Sequence, residues 1–377
     1  MARLDVRPVH TERDRARFLT FPWRIYRGDP LWVPPLLPDR RRFLDPRRGP
    51  FFKHGEAELY LALRDGQVAG TICVAVDHEM NRLRAARECI FGFFECRDDP
   101  EAAHALLDRA EAYGRDHGMD ILAGPFNLDY EDSYGVLVEG RDRPPPLLCA
   151  HTPPYYVRLL EAEGYTPLRA DNLAFALDLD PESRAFRSVR RLADRVRRSR
   201  GFTIRTPDLR SWRVEVDPLM VLLNRALEGL GPLRPWDRPA LEHMFAAFVR
   251  IADPDLILFA HDGQRLVGWF PGLPNLNEAI IHADGLRTPW SYLTLALRMR
   301  KHPECLAIKS VVVLPEYWGS GVTALLIDEM ARRAHDKGYR WVDLSMTSED
   351  NPETPRLARK MGARIYKRYR VYKKALG

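Results

Sequence analysis

Cysteine is scarce in this 377-residue chain, and it is unpaired in pattern. The five are Cys73, Cys89, Cys96, Cys149 and Cys305, an odd number with no C-x-x-C pair. That favours a reducing cytosol over a disulfide framework and argues against a zinc site. No run of about 18 apolar residues exists, so no segment is long enough to span a bilayer as a helix. The N-terminus is charged from Arg3 onward, unlike a secretory leader. The histidines are scattered without metal-ligand spacing, and G-x-S-x-G, H-E-x-x-H and G-K-[ST] are all missing. Metal, hydrolase and NTPase chemistry therefore have no motif to rest on, and no metal is expected.

Arginine, by contrast, is plentiful. Net charge is +6, and eleven arginines lie between Arg184 and Arg213. Such a stretch suits nucleic acid, anionic lipid or a polyphosphate. No zinc-finger, RRM or helix-turn-helix signature accompanies it, so no nucleic-acid partner is expected. Its plain reading is the solvated face of a linker helix over 181–200. Residues 21–52 are rich in proline, aromatics and arginine, including Trp23, Tyr26 and Trp32. They read as an extended arm without regular structure that packs on a domain or meets a membrane surface.

Hydrophobic content of 45% and the length suit two packed domains. Residues 57–76 form two apolar runs split by Asp65-Gly66, and 254–273 repeat the form around Asp262-Gly263-Gln264. Both read as hairpins. Residues 104–124 align on 324–344 at a constant offset of 220, with Leu106 on Leu326, Asp116 on Asp336 and Gly118 on Gly338. In each copy an amphipathic helix ends at a C-cap glycine and a strand follows. Two related domains in tandem are expected, over 1–180 and 201–377, joined by the linker.

The stretch "VVVLPEYWGSGVTALLIDEM" (311–330) carries the chemistry. A strand over Leu306–Val313 should feed a turn, Pro315–Gly321, and then a helix from Val322. The first turn of a helix offers unpaired N–H groups and the positive end of its dipole, which together favour an anion. Gly319 and Gly321 would let the backbone bend and a bulky phosphate approach.

The turn resembles motif A of the GNAT acyltransferase superfamily, Q/R-x-x-G-x-G/A after a strand. Here it stands as Glu316-Tyr317-Trp318-Gly319-Ser320-Gly321, with glutamate in the first place. A later family pattern is matched by Asn351, Leu357, Lys360 and Gly362, whereas Ala358 stands where the family usually has its acid tyrosine. The resemblance implies an α/β (α+β) fold of two tandem GNAT-like domains, each a mixed twisted sheet flanked by helices. It implies acetyl-CoA or a longer acyl-CoA held by Val311, Val312, Val313, Glu316, Tyr317, Trp318, Gly319, Ser320, Gly321, Val322 and Asn351. The N–H groups around Val312–Val313 would face the oxyanion. At the same offset Gly319 falls on Asp99 and Gly321 on Glu101, acids that would repel a pyrophosphate. The first copy is then a scaffold or a wall for the acceptor.

Acyl transfer to an amine needs a base for the amine and a proton for the leaving thiolate. Glu349 is the base candidate, with Asp350 beside it. Tyr366 and Tyr369 are the donor candidates, with Tyr372 behind them. Glu95, Asn127, Asn224, Glu228 and Asn277 are polar residues that could face the cleft. The expected function is transfer of an acyl group, acetyl first, from acyl-CoA to a small amine. The second expectation is long-chain acylation of a lipid amine such as a sphingoid base. The third is a non-catalytic acyl-CoA-binding module, prompted by Ala358. The expected location is cytoplasmic, with the arm and basic linker able to touch the anionic inner face of a membrane. Oligomeric state is left open.

Overall fold

The computed structural model describes residues 3–128, 133–199, 201–228, 234–249 and 252–377. Both expected hairpins form. Gly55–Arg64 pairs with Gln67–Asp77 across Asp65 and Gly66, which both have positive φ, as a two-residue turn between right-twisted strands requires. Ile257–Asp262 pairs likewise with Arg265–Pro274. The 220-residue echo is also structural. Helix Pro100–Asp116 leads to strand Ile121–Gly124, and helix Val322–Asp336 to strand Trp341–Ser348. Each is the crossover between two parallel strands.

Two mixed sheets result. In the first, Leu4–Pro8, Gly55–Arg64, Gln67–Asp77, Glu88–Cys96 and Ile121–Gly124 are followed by Tyr372–Ala375 and Thr166–Pro167. The order in the second is Val136–Glu139, Arg364–Arg370, Asn172–Asp178, Trp341–Ser348, Cys305–Ile308, Arg265–Pro274, Ile257–Asp262 and Phe202–Arg205. A boundary at residue 180 therefore cuts through both sheets. The first half lends 136–139 and 172–178 to the second sheet, and the chain end crosses back at Val371 to complete the first. The end segment reads from sequence as two strands, and nothing in that pattern shows that they belong to different sheets.

Alternation along the first sheet builds two cores. Tyr60, Ala62, Ile72 and Val74 pack toward helix Pro100–Asp116. Leu61, Leu63, Cys73 and Ala75 face the other way, onto Phe18, Phe21, Leu37, Leu44 and Phe51. The arm is thus the second covering layer of this sheet. It is also more regular than expected, with short helices at Pro22–Ile25, Leu37–Phe43 and Pro50–Lys53. Each has proline at its first or second position, where a missing N–H is harmless.

The linker is helix Arg184–Ser199, and one side of it is far from solvent. Ala193 and Val196 pack on Leu325, and Arg197 reaches Asp328 at 2.8 Å. It lies along helix Val322–Asp336 as a bound partner. No described helix is long and apolar enough to cross a membrane.

Candidate active site

The expected single strand Leu306–Val313 is broken. Cys305–Ile308 runs parallel to Trp341–Ser348 only as far as Ala307 opposite Asp343. Beyond Lys309 the chain swings away, and Val312–Val313 pairs with Gly268 and Trp269 on the far side. Across the gap the other strand slips register after Asp343, with Ser345 at a φ of 59°. Two parallel strands thus part at their C-terminal ends. A wedge opens in front of helix Val322–Asp336, the side on which α/β sheets bind ligands.

At the mouth of the wedge the turn forms as expected. Ser320 N–H donates to Tyr317 O, and Ser320 Oγ receives Val322 N–H at 3.3 Å. Among the described residues, the amides of Gly319, Gly321, Thr323 and Ala324 find no acceptor in the chain. The two glycines serve different ends. Open space surrounds a Cβ built on Gly319, so a ligand can come close. A Cβ on Gly321 would lie 2.4 Å from Val196, so that glycine admits the linker helix. Both have positive φ, 75° and 92°. Glu316 turns aside to an ion pair with Arg265, which removes most of its repulsion toward a phosphate. Tyr317 donates to Asp262 at 2.9 Å, and Trp318, 70% exposed, donates its indole N–H to Val313 O. Val312, Val313 and Val322 are buried, and Val311 is exposed. Asn351 lies in the turn before helix Thr354–Lys360, its Oδ1 accepting Glu353 N–H and Thr354 N–H.

The tyrosines separate. Tyr366 lies at the apex of the wedge, its hydroxyl donating to Asp343 Oδ1 at 2.9 Å. Asp343 is fully buried, and its carboxyl is pushed up by burial against the pull of Lys309, whose Nζ is 3.5 Å away. Burial, with Asp343 adding to it, also raises the Tyr366 hydroxyl well above its ordinary value. Tyr369 is committed elsewhere, donating to Ala150 O from full burial. Tyr372 belongs to the other sheet and donates to Glu161. Glu349 is held by Arg368 at 2.8 Å, and Asp350 is exposed. Lys309 and Asp343 were not singled out by sequence reasoning, yet a signal exists: each is a charge in an apolar strand run.

In the first half the equivalent places are filled by the chain itself. Asp99 caps helix Pro100–Asp116, accepting Ala102 N–H, and is clasped by Arg64 through both oxygens. Its carboxylate sits where a phosphate would. Phe93, at the position of Val313, has a φ of 47° beside a register slip, and its N–H is taken by Asn127 Oδ1 at 2.8 Å. A Cβ on Gly92 would strike Phe126 O.

What remains in that half is a cavity of about 470 Å³ under the arm. Phe18, Trp32, Phe43, Phe93, Leu147 and Ile280 give it apolar walls. Its wall segment 145–152 is tied to the second half: Lys309 Nζ donates to Leu147 O, Tyr369 to Ala150 O, and Asn277 to Pro145 O. Glu95 lines the cavity. Tyr156 Oη donates to its Oε2 at 2.7 Å, and Tyr26 Oη approaches Oε1 at 3.4 Å while donating to His151 O. Burial lifts the Glu95 carboxyl to about 7 against the pull of these hydroxyls. No cation among the described residues pairs with it. Beside it His151 bonds Asp29 through Nε2 at 2.7 Å, leaving Nδ1 buried without a partner. Tyr26, Asp29 and His151 carried no sequence signal, since only the folded arm brings them together. Asn224 and Glu228 lie apart from the cavity, bonded to Trp236 and Arg225.

Comparison with known proteins agrees with this geometry. The Acetyltransferase (GNAT) family model matches residues 217–363. The chain is 31% identical to the bacterial ceramide synthase of Caulobacter vibrioides, over 100% of this chain and 98% of that protein. It is 28% identical to protein YghO of Escherichia coli, over 98% of this chain and 95% of that protein. Among solved structures it is similar to a tandem GNAT protein from the clavulanic acid biosynthesis pathway, at TM-score 0.59 and 17% identity, covering 100% and 99% of the two chains. A GCN5-related N-acetyltransferase from Sphaerobacter thermophilus gives 0.53 at 16% identity, covering 99% and 96%.

Proposed function

The chain belongs to the GNAT acetyltransferase family and is an N-acyltransferase, and from that premise we propose that it transfers a long acyl group from acyl-CoA to a lipid amine. The observation that carries the reading is the cavity of about 470 Å³, apolar-walled, with one buried carboxylate in it. A small polar amine would leave such walls wet, whereas an alkyl chain gains free energy by covering them, about 0.8 kcal/mol per buried CH₂. The cavity thus favours the second of the two substrate classes expected from sequence, in keeping with the name of the Caulobacter relative.

Acyl-CoA supplies the thioester: the amine nitrogen bonds to its carbonyl carbon, the C–S bond breaks, and the thiolate leaves. The chain's own groups fit this ligand. The free amides of Gly319, Gly321, Thr323 and Ala324 face the pyrophosphate, and the parted strands admit the pantetheine arm. Glu95 pairs with the incoming ammonium and takes its proton, which leaves the nitrogen lone pair free. Tyr366, at the wedge, would turn its proton from Asp343 to the leaving thiolate and regain one from the acylated nitrogen, so that the amine's second proton ends on the thiol. Tyr369 positions the cavity wall, and Glu349 with Arg368 braces the strand end.

The test offers acetyl-CoA or palmitoyl-CoA with either a soluble amine or sphinganine, and detects the amide by mass spectrometry. The expected product is the N-palmitoyl lipid. Acetyl transfer to soluble amines with none to sphinganine would overturn the lipid reading, and acyl-CoA binding without any product would leave a binding module. Ser320→Glu places a carboxylate at the helix N-terminus. It should weaken acyl-CoA binding at least about tenfold without lowering the melting temperature, because the dipole itself welcomes the charge.

A further inference from the structure

Helix Pro289–Arg298 presents its apolar side to solvent. Trp290, Leu293 and Leu297 recur at i, i+3 and i+7, and they are 75%, 51% and 53% exposed. Tyr292 and Met299, farther round the helix from this stripe, are also exposed, while Ser291 is buried. This inverts the rule for a surface helix, whose apolar stripe faces the core. The arm has the opposite character: its aromatic residues Phe21, Tyr26 and Phe51 are buried.

The charge near the exposed stripe is mostly basic. Arg287, Arg298, Arg300 and Lys301 flank it. Arg287 is 3.7 Å from Asp284, but among the described residues no carboxylate lies within ion-pair reach of Arg298, Arg300 or Lys301. Aromatic residues beside unpaired basic ones suit the boundary between headgroups and acyl chains. Unpaired arginine and lysine complement anionic lipid.

The face also continues into the cavity. The turn leading into this helix accepts the Trp23 indole N–H on Asp284 at 2.6 Å, and Arg287 lies over the Trp23 ring. Trp23 meets Trp32 edge-on at 5.1 Å, and Trp32, Asn277 and Ile280 line the cavity. We propose that the outward face of helix Pro289–Arg298 docks on a bilayer containing anionic lipid and delivers the lipid acceptor from that bilayer to the cavity. The docking stands on the face itself, and only the delivery step rests on the lipid-amine reading.

The experiment sediments the full chain with vesicles of phosphatidylcholine, alone or mixed with phosphatidylglycerol. The mixed vesicles should bind at least about tenfold more protein, and added salt should release it. Leu293→Glu/Leu297→Glu and Arg300→Glu/Lys301→Glu should each lose that binding. Both should still bind acyl-CoA in solution, which shows that they fold. The proposal fails if wild type stays in the supernatant or if the variants bind as wild type does. It also fails if the stripe proves to join two copies, seen as self-association of wild type that Leu293→Glu/Leu297→Glu abolishes without any vesicle binding. Vesicle binding with no acylation of lipid amines would keep the surface and reject the substrate.

Discussion

At Glu95, burial and proton transfer act on the same group. Its carboxyl is raised from an ordinary value of 4.5 to about 7, first by burial. The folded state therefore holds this proton more tightly than the unfolded chain does. The stability this group contributes is present below pH 4.5 and is lost as pH rises through 7, up to about 3 kcal/mol. Catalysis needs the ionised form, so acylation should climb as pH passes 7. Around Glu95, Tyr26 and Tyr156 are pushed upward by burial and His151 downward by burial, so of these groups Glu95 is the one that changes charge there. Glu95→Gln should lower kcat/KM at least about 100-fold, remove this limb of the pH profile and leave acyl-CoA affinity intact. It should also raise the melting temperature above pH 7. A variant that keeps the wild-type pH profile would clear Glu95 of the role. Sequence made Glu95 visible as a charge inside "FGFFEC", but its neutral-range titration depends on burial, and the arm residue Tyr26 reaches it only once the arm has folded.

Between elements, the glycine turn combines two demands that sequence could not separate. G-x-G before a helix marks a bend and an anion site, and Gly319 fits that reading with open space around it. Gly321 instead answers to Val196, on a helix more than a hundred residues earlier. Gly321→Ala combines a strained φ of 92° with overlap onto Val196 and should cost about 1 to 3 kcal/mol in urea unfolding. Val196→Ala in that background should recover part of the loss, although alone it is destabilising. Simple additivity of the two would mean that the helices do not meet there. The strand break at Lys309 was hidden for a related reason. "LAIKSVVVLP" is apolar enough for a buried strand throughout, and apolarity carries no record of which neighbour each residue pairs with. The hairpins, closed by Asp65-Gly66 and Gly263-Gln264, were legible because their determinants are local.

Over the whole molecule, the two halves share their sheets. Repeat and helix order were readable from the 220-residue echo, but the exchange of strands was not, since pairing partners far apart in sequence leave no periodicity. Tyr372 and Leu376 are buried in the first core, and Lys374 reaches Glu111 at 2.7 Å. Unfolding in urea should therefore be a single transition, the same when followed by a probe in either half. Deleting 372–377 should expose the edge of Ile121–Gly124, split the transition and promote aggregation. Two well-separated transitions in the intact chain would show that the shared strands do not couple the halves. The same strand also sets a schedule for biosynthesis. A first domain usually folds while the rest is still being made, at about 5–20 residues per second. Here Ile121–Gly124 waits for a neighbour, Tyr372–Ala375, that is made much later in the chain. Until Tyr372–Ala375 emerges the nascent chain keeps that edge open, so its need for a chaperone should last until that strand has been made.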